Sequence, residues 1–377
     1  MQLRIAGEVV TVPFLDLGTT HAPLKEQVLE DVAALIDSSA FTNGPAVAEF
    51  ERAFAGYCGA VECVGLASGL DALRLALLAA GIAQGDEVIV PANTFVATLE
   101  AVTQAGGVPV PVDVSEEDYN LDPDSVAEAV GPWTRFIMPV HLYGQLADMA
   151  SLRAIAAVHD LAIVEDACQA HGARRDGFAA GASGTAAFSF YPGKNLGAMG
   201  DAGALVTDDP ELGATVRALR EHGQREKYHH EREGYTARLD TIQALVLSRK
   251  LPLLDAWNAE RGTVAALYDE GLAGIGDLVL PAVPAGSEPV WHLYVIRTAD
   301  PHALAEFLRD RGIATGRHYP EPPHLSRAYA WLGYGRGAFP VTERLAPTLL
   351  SLPIYPGISE LQVDAVVEGV RAFFGDA

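Results

Sequence analysis

Between residues 61 and 166, short apolar runs alternate with helical patterns, and this alternation is the strongest constraint on the fold. The apolar runs occupy residues 61–67, 87–91, 108–114, 136–142 and 162–166. Strands separated by helices in this way form a mostly parallel sheet that helices cover on both faces. In such α/β sheets ligands bind beyond the carboxyl ends of the strands. The residues directly after each run are therefore the candidates for a functional site.

The rest of the chain indicates a second, smaller unit. Helical spacing over residues 23–36 and 47–57 predicts a helical segment before the sheet. After the sheet, helices are predicted for residues 211–222 and for a long stretch that ends near Trp257. A strand at 290–296 and helices at 301–311 and 360–374 are typical of a small α+β domain. We therefore expect a large domain of residues 1–257 and a small C-terminal domain of residues 258–377.

Composition and charge exclude several classes of function. The 377 residues include 26 basic and 49 acidic ones, a net charge of −23. Such a surface repels nucleic acid and anionic membranes, so neither is an expected partner. The first eight residues lack the apolar core of a signal peptide, and no run approaches the roughly 20 apolar residues of a membrane span, which predicts a cytoplasmic protein. Cys58, Cys63 and Cys168 are odd in number and lack metal-ligand spacing; reduced thiols and no metal site are expected.

A lysine stands at a sharp turn after a strand-like run over residues 186–191. Pro and Gly end the run, Lys194 follows at the tip of the loop, and four glycines lie between residues 193 and 203. A solvated lysine is the simplest alternative. A P-loop is excluded, because Phe188 and Asn195 stand where that motif needs glycine and Ser or Thr. The remaining use is a nucleophilic amine, most commonly one that forms a Schiff base with pyridoxal 5′-phosphate.

This hypothesis requires four further parts, and each has a candidate at the end of a predicted strand. Asp166 would pair with the cofactor ring nitrogen, since alternation places only one of Glu165 and Asp166 on the cleft side. Gln169, three residues later, can reach the ring hydroxyl. Ser68 caps a helix whose free N–H groups accept phosphate, and Phe95 can lie flat on a ring. Three of them also have a structural alternative: Asp166 as a turn-capping acid, Ser68 as a plain N-cap and Phe95 as a core aromatic.

Together these motifs resemble the pyridoxal phosphate-dependent nucleotide-sugar aminotransferases of the DegT/DnrJ/StrS type. The resemblance covers nearly the whole chain, and it is carried by Phe14-Leu15-Asp16-Leu17, Asn43-Gly44-Pro45, Ser68-Gly69, Pro91-Ala92-Asn93-Thr94-Phe95, Glu165-Asp166-Ala167-Cys168-Gln169-Ala170-His171-Gly172 and Ser189-Phe190-Tyr191-Pro192-Gly193-Lys194-Asn195-Leu196-Gly197. It implies fold type I of the pyridoxal phosphate-dependent transferases. It also implies a homodimer whose two active sites lie at the subunit interface.

The resemblance assigns a role to each site residue. Lys194 would form the Schiff base and serve as acid and base, while Asp166 would face the ring nitrogen and Gln169 the ring hydroxyl. Phe95 would stack on the ring. The cofactor phosphate would be held by Ser68, Gly69, Leu70 and Ser189, and by residue 236 of the neighbouring subunit. The family usually has asparagine at that last position, whereas this chain has Thr236.

The resemblance also implies a reaction. An amino acid, by analogy L-glutamate, would give its amino group to the cofactor, and pyridoxamine phosphate would pass it to a nucleotide-linked keto-sugar. The candidate substrate-binding residues are Tyr191, Lys227, Tyr228, His229, His318, Tyr319 and His324. Their surroundings resemble those of members acting on dTDP-linked 3-keto-6-deoxyhexoses, in deoxyamino-sugar biosynthesis. A 4-keto-sugar or cyclitol aminotransferase and a non-catalytic regulatory protein remain alternatives; a sugar 3-dehydratase is disfavoured, because those proteins carry histidine at the position of Lys194.

Overall fold

A seven-stranded sheet lies at the centre of the protein, whose computed structural model describes residues 4–5, 8–182 and 184–375. Part of the opening segment, on which the absence of a signal peptide is predicted, lies outside the described residues. The strands are β1 (Arg4–Ile5), β2 (Glu8–Val9), β3 (Glu62–Leu66), β4 (Glu87–Pro91), β5 (Val108–Val112), β6 (Thr134–Ile137), β7 (Ala162–Asp166), β8 (Arg174–Arg175), β9 (Phe178–Ala179), β10 (Thr185–Ser189), β11 (Gly203–Thr207), β12 (Gln224–Glu226), β13 (His229–His230), β14 (Ser287–Glu288), β15 (Tyr294–Arg297) and β16 (Leu349–Leu352).

Helices cover the sheet and build the C-terminal part. The α-helices are α1 (Gly18–His21), α2 (Lys25–Ser38), α3 (Pro45–Cys58), α4 (Gly69–Ala79), α5 (Ala97–Gln104), α6 (Pro123–Ala129), α7 (Met149–His159), α8 (Pro210–Arg220), α9 (Thr241–Lys250), α10 (Leu254–Leu272), α11 (Pro301–Arg309), α12 (Pro340–Leu345) and α13 (Glu360–Phe374). Short 3₁₀ turns are formed by Ala22–Leu24, Leu142–Gly144, Leu251–Leu253, Pro323–Leu325, Arg327–Leu332 and Ala346–Thr348. In the part of the chain that the structure describes, no helix has the length and apolar character needed to cross a bilayer.

The central sheet has the strand order β3-β11-β10-β7-β6-β4-β5. Strands β10, β7, β6, β4 and β5 run parallel, whereas β11 is antiparallel to both of its neighbours, β10 and β3. The apolar runs are buried because helices pack on both faces of this sheet. A mostly parallel sheet between layers of helices confirms the predicted α/β fold class.

Two apolar clusters fill the two faces of the sheet. On one face, Phe50 and Phe54 of α3 pack edge-on against the rings of Phe188 and Phe190, which follow alternate positions of β10 and its continuation. On the other face, α4 and α5 pack on the sheet through residues such as Leu73. Since successive side chains of a strand point to opposite faces, β10 contributes to both clusters. Both faces are thus closed, and the carboxyl edge remains for a ligand.

The C-terminal part has its own apolar cluster, formed by α10, α11, α13, β15 and β16. Val10 and Val12 from the start of the chain join this cluster. The long helix predicted to end near Trp257 is wrong: α9 ends at Lys250, a 3₁₀ turn with Pro252 follows, and α10 continues to Leu272. Proline cannot donate the backbone hydrogen bond that a continuous helix needs. Trp257 therefore lies inside α10, and the division at residues 257 and 258 remains a prediction.

Candidate active site

A cavity of about 550 Å³ opens at the carboxyl edge of the sheet, between the ends of β7 and β10 and the C-terminal part. It brings together most of the predicted site residues, which are distant in sequence. Those that line it are Ser68, Gly69, Leu70, Phe95, Asp166, Gln169, Ser189, Tyr191, Lys194, His318 and Tyr319. This convergence follows from the parallel strands, whose carboxyl ends meet at one edge.

The loop that carries Lys194 folds tightly back on itself. The Lys194 N–H donates to the carbonyl oxygen of Tyr191 at 2.8 Å. Glycine is required at position 197, because a Cβ there would collide with the carbonyl of Pro192. At the end of α9, the buried Lys250 donates a hydrogen bond through its Nζ to the carbonyl oxygen of Gly197 at 2.7 Å. These contacts fix the backbone from which the Lys194 amine enters the cavity.

The pKa of the Lys194 amine is lowered by burial, against the opposing influence of Cys168 and Asp166. A lowered pKa increases the fraction of neutral amine near physiological pH. Only the neutral form is a nucleophile or a proton acceptor. The cavity therefore prepares Lys194 for both tasks.

Asp166 is the last residue of β7 and is 6% exposed. Its Oδ2 accepts a hydrogen bond from Thr98 Oγ1 at 2.9 Å, and its Oδ1 accepts one from the Cys168 N–H at 3.2 Å. Both oxygens are thereby oriented within the cavity wall. The carboxylate is placed where it can face a positively charged ring nitrogen.

The neighbouring acid, Glu165, points to the opposite face of the sheet. It is 2% exposed, lies 3.1 Å from His141 Nε2 and accepts a hydrogen bond from the Gly181 N–H at 3.2 Å. The prediction that only one of the two adjacent acids lies on the cleft side is confirmed, and that acid is Asp166. Glu165 has a structural role.

Gln169, Tyr319 and Phe95 form one wall of the cavity. The Oε1 of Gln169 accepts a hydrogen bond from the Tyr143 N–H at 2.7 Å, and its Nε2 donates to the Tyr319 hydroxyl at 3.3 Å. The ring of Phe95 is half exposed, with its centroid 5.4 Å from that of Tyr319. An amide donor and an exposed aromatic face are thus available to a planar ligand.

The beginning of α4 and the end of β10 form a narrow cradle. Ser68 is the N-cap of α4, and its Oγ accepts a hydrogen bond from the Asp71 N–H at 3.0 Å, which confirms the predicted cap. A Cβ on Gly69 would lie 2.7 Å from both Cys168 Sγ and Ser189 Cβ, so the helix approaches Ser189 as closely as glycine allows. Free N–H groups of a helix start beside a serine hydroxyl suit a phosphate group.

His318 lies on the side of the cavity that the C-terminal part contributes. Its Nδ1 is 2.8 Å from Ser351 Oγ, and its ring stacks on Phe14 with centroids 5.6 Å apart. Tyr143 donates a hydrogen bond through its hydroxyl to the carbonyl oxygen of His318. Burial, together with the Lys194 charge, lowers the pKa of His318 to about 4. This imidazole is therefore neutral near pH 7.

Five predicted site residues lie outside this cavity. Lys227 and Tyr228 are exposed at the tip of the β12–β13 hairpin, next to His229, the first residue of β13. Thr236 lies 3.3 Å from His222 through Oγ1 and Nε2. The fifth, His324, is 1% exposed, and its Nε2 is 3.2 Å from Glu343 Oε1. Within this chain none of the five contributes to the cavity lining.

The cavity also includes residues that the sequence analysis missed, among them Thr98, Arg261 and His292. Thr98 lies one turn after Phe95 and carries no motif of its own. Arg261 could have been found by its spacing: it shares a helical face with the buried residues Val264, Ala265 and Tyr268. A charged residue on such an apolar stripe indicates a special environment.

The residues of the cavity fit pyridoxal phosphate. They supply an amine for the Schiff base, an acid for the ring nitrogen, an aromatic face for the ring and a helix N-terminus with a serine hydroxyl for the phosphate. The chemistry of the donor set thus matches each part of the cofactor. Among the residues that the structure describes, no group of three or more His, Cys, Asp or Glu is arranged to hold a metal ion.

Comparison with known proteins gives a consistent result. The model of the DegT/DnrJ/EryC1/StrS aminotransferase family matches residues 23–371. The chain is 49% identical to the erythromycin biosynthesis sensory transduction protein EryC1 of Saccharopolyspora erythraea, over 96% of this chain and 99% of that protein. It is 48% identical to the dTDP-3-amino-3,4,6-trideoxy-alpha-D-glucose transaminase of Streptomyces venezuelae, over 97% of each chain.

Solved structures show the same likeness. The crystal structure of S. venezuelae DesV in complex with a ketimine intermediate superimposes with a TM-score of 0.95 at 48% identity, and the match covers 96% of this chain and 98% of that one. Solved structures similar to this chain include forms with pyridoxal phosphate and with pyridoxamine phosphate. These are the two forms between which the cofactor of an aminotransferase alternates.

Proposed function

Because the chain belongs to the DegT/DnrJ/EryC1/StrS aminotransferase family, we propose that it transfers an amino group from L-glutamate to C3 of a dTDP-linked 3-keto-6-deoxyhexose. The product would be a 3-amino sugar of a deoxyamino-sugar pathway. The observation that carries this substrate class is the likeness to the S. venezuelae transaminase, whose name specifies a dTDP-3-amino sugar. The position of His318 and Tyr319 in the cavity supports it, since these two residues carry part of the resemblance to 3-keto-sugar members.

Several residues of the cavity lining would hold pyridoxal phosphate. Lys194 would bind it covalently, Asp166 would pair with its ring nitrogen, Gln169 would bond its ring hydroxyl and Phe95 would stack on the ring. The cradle, which consists of Ser68, Gly69, Leu70 and Ser189, would bind its phosphate. When bound, this cofactor withdraws electrons from the carbon next to the transferred nitrogen.

Lys194 then performs the proton transfers. Once the donor amino acid has taken its place, the amine would be free, and burial lowers the pKa of that amine. It would move the proton of the donor α-carbon to the cofactor, and in the second half-reaction it would move a proton from the cofactor to C3 of the sugar. Asp166, held by Thr98 and the Cys168 N–H, keeps its charge fixed during both steps.

We also propose that the enzyme is a homodimer in which the neighbouring subunit completes each site. Thr236 and the β12–β13 hairpin, with Lys227, Tyr228 and His229, lie outside the cavity of their own chain and would serve that of the other. Thr236→Ala should then weaken cofactor retention, and sedimentation should show a dimer. A monomer that retains full activity would contradict this arrangement.

The test of the proposed function begins with the absorbance spectrum of the cofactor-loaded protein during addition of L-glutamate. We expect the visible band to be replaced by that of the pyridoxamine form. This form is then mixed with 3-keto and 4-keto dTDP-sugars, and the position of the new C–N bond is determined by NMR. Lys194→Ala, which keeps the cavity but lacks the amine, should give no product. Preference for a 4-keto sugar or a cyclitol ketone would overturn the assignment to C3.

A further inference from the structure

Arg261 is a buried cation without an anionic partner. It lies on α10, is 3% exposed and lines the same cavity as Lys194. Its Nη1 donates to the carbonyl oxygens of Trp291 at 3.2 Å, His292 at 3.3 Å and Ile354 at 2.9 Å. Its Nε is buried and has no hydrogen-bond partner among the described residues. No described carboxylate lies within salt-bridge distance of it.

Such an arrangement costs free energy unless a ligand compensates for it. A buried ionised group is normally paired with an opposite charge, and carbonyl dipoles replace only part of its hydration. Burial lowers the pKa of Arg261 to about 10, so the guanidinium stays protonated at neutral pH. The cavity therefore presents a permanent positive charge that an anionic ligand can neutralise.

Arg261 is also the one cation of the cavity lining that remains available. Among the lining residues that the structure describes, only Lys194 and Arg261 carry basic side chains besides histidine. Lys194 is committed to the cofactor. The pKa of His292 is lowered well below its usual value, first by burial and then by Lys194 and Arg261, and that of His318 is about 4. Both imidazoles are neutral near pH 7.

We propose that Arg261 binds the α-carboxylate of the amino donor, an inference that rests on the proposed function. Every α-amino acid carries this carboxylate on the carbon that bears the nitrogen, and Lys194 and Arg261 line the same cavity. A guanidinium forms paired hydrogen bonds with a carboxylate.

Two other anions fit this position less well. The cofactor phosphate has its own cradle at Ser68, Gly69 and Ser189, and none of the hydrogen bonds of Arg261 involves that cradle. The diphosphate of a nucleotide sugar is attached at C1, so part of the hexose ring separates it from the reacting carbon, C3. Arg261, at 3% exposure, lies in its wall and suits a compact ligand.

The experiment compares three donors that differ only in which carboxylate is present. L-glutamate has both, L-glutamine keeps the α-carboxylate and lacks the γ-carboxylate, and L-isoglutamine has an amide in place of the α-carboxylate. The loss of visible absorbance of the cofactor-loaded enzyme is measured against donor concentration. We expect the wild type to bind isoglutamine about 10- to 100-fold more weakly than glutamate, the usual effect of one charged hydrogen-bonding partner.

Arg261→Met should weaken the binding of glutamate by a similar factor and remove the discrimination against isoglutamine. Arg261→Lys should retain part of this discrimination. The discrimination is the ratio of the affinities for glutamate and isoglutamine within one variant, so it does not depend on the fraction of that variant that is folded. Arg317→Met is the matched control, because Arg317 also donates to three backbone carbonyls (Leu349, Ala346 and Pro347) but lies outside the cavity lining. It should retain the wild-type discrimination.

The outcomes separate this inference from the proposed function. If the wild type responds to glutamate and Arg261→Met still rejects isoglutamine, the assignment of Arg261 is overturned while the function stands. A variant that loses discrimination against glutamine instead would show that Arg261 binds the γ-carboxylate, which also overturns the proposal. A wild type that responds to no amino acid overturns both.

Discussion

Thr98 and Asp166 are joined by a hydrogen bond of 2.9 Å from Thr98 Oγ1 to Asp166 Oδ2, although 67 residues separate them in the chain. Thr94 Oγ1 lies 2.8 Å from Thr98 Oγ1, and all three side chains are buried. Helix α5 thus supplies a polar support for the carboxylate at the end of β7. The orientation of Asp166 therefore depends on a contact with the helix that follows β4, a strand that β6 separates from β7 in the sheet.

Thr98→Val should weaken pyridoxal phosphate binding about 10-fold, because the carboxylate loses one of its two hydrogen-bond donors while the volume of the side chain is kept. Titration of the cofactor-free protein with pyridoxal phosphate, followed by absorbance, measures the effect. Thr103→Val is the control, since Thr103 lies on the same helix and donates to the carbonyl oxygens of Leu99 and Glu100 rather than to Asp166. Equal affinities for the two variants would contradict a supporting role for Thr98.

Asp166→Asn should fold and bind the cofactor but lower kcat roughly 100- to 1,000-fold, the usual effect of removing a fixed charge that supports the transition state. The matched control is Glu165→Gln on the opposite face of the same strand end. It should reduce the melting temperature, because Glu165 bonds His141 and Gly181, and leave the kcat of the folded enzyme close to that of the wild type. If the two variants exchanged these effects, the assignment of the acid would be wrong.

Most of the sheet could be predicted because its strands are short apolar runs, and segments with helical spacing of apolar residues separate them. The boundaries of β4, β7 and α13 agree with the sequence pattern. The predicted strand at 136–142 is longer than β6, which ends at Ile137. The apolar residues beyond it are buried in a turn at Leu142–Gly144 that contacts the C-terminal part. Hydrophobicity alone cannot distinguish such a buried turn from a strand.

The site residues at the ends of strands could be predicted from the sequence. Those that enter the cavity only through tertiary packing could not. Asp166 ends β7, Gln169 follows β7 and Lys194 follows β10, so topology alone places all three at one edge of the sheet. Arg261 and His292 enter the cavity because α10 and the segment before β15 pack beside the Lys194 loop. No local motif records that packing. Thr236 and the hairpin residues lie outside the cavity of this chain, so the roles predicted for them would require the proposed neighbouring subunit.

Gly69→Ala should weaken pyridoxal phosphate binding about 10-fold. The added Cβ would lie 2.7 Å from both Cys168 Sγ and Ser189 Cβ, so the start of α4 must move away from Ser189 and the cradle widens. Gly56→Ala in α3 is the control, because a Cβ there has no neighbour within 4 Å. It should stabilise the protein by about 0.5–1 kcal/mol, as expected for alanine in a helix. Unchanged cofactor affinity in Gly69→Ala would contradict the assignment of the cradle.

Lys250 should make a contribution to stability that rises with pH between about 8 and 10.5. Burial lowers the pKa of Lys250 to about 8 from the ordinary 10.5. In this range the folded state has released a proton that the unfolded state still binds, so raising the pH favours folding, by up to about 3 kcal/mol for this group. Urea unfolding of the wild type and Lys250→Met at several pH values measures the contribution as a difference in slope.

Relative to Lys250→Met, the wild type should gain stability over this range, because the methionine has no proton to release. Lys25→Met, which removes an exposed amine of α2, controls for the change in net charge. Lys250→Met also tests the support of the Lys194 loop. Without the hydrogen bond from Lys250 Nζ to the carbonyl oxygen of Gly197, the visible band of the cofactor-loaded enzyme should shift or broaden. Parallel stability curves for wild type and Lys250→Met would show that the buried amine is not charged differently in the two states.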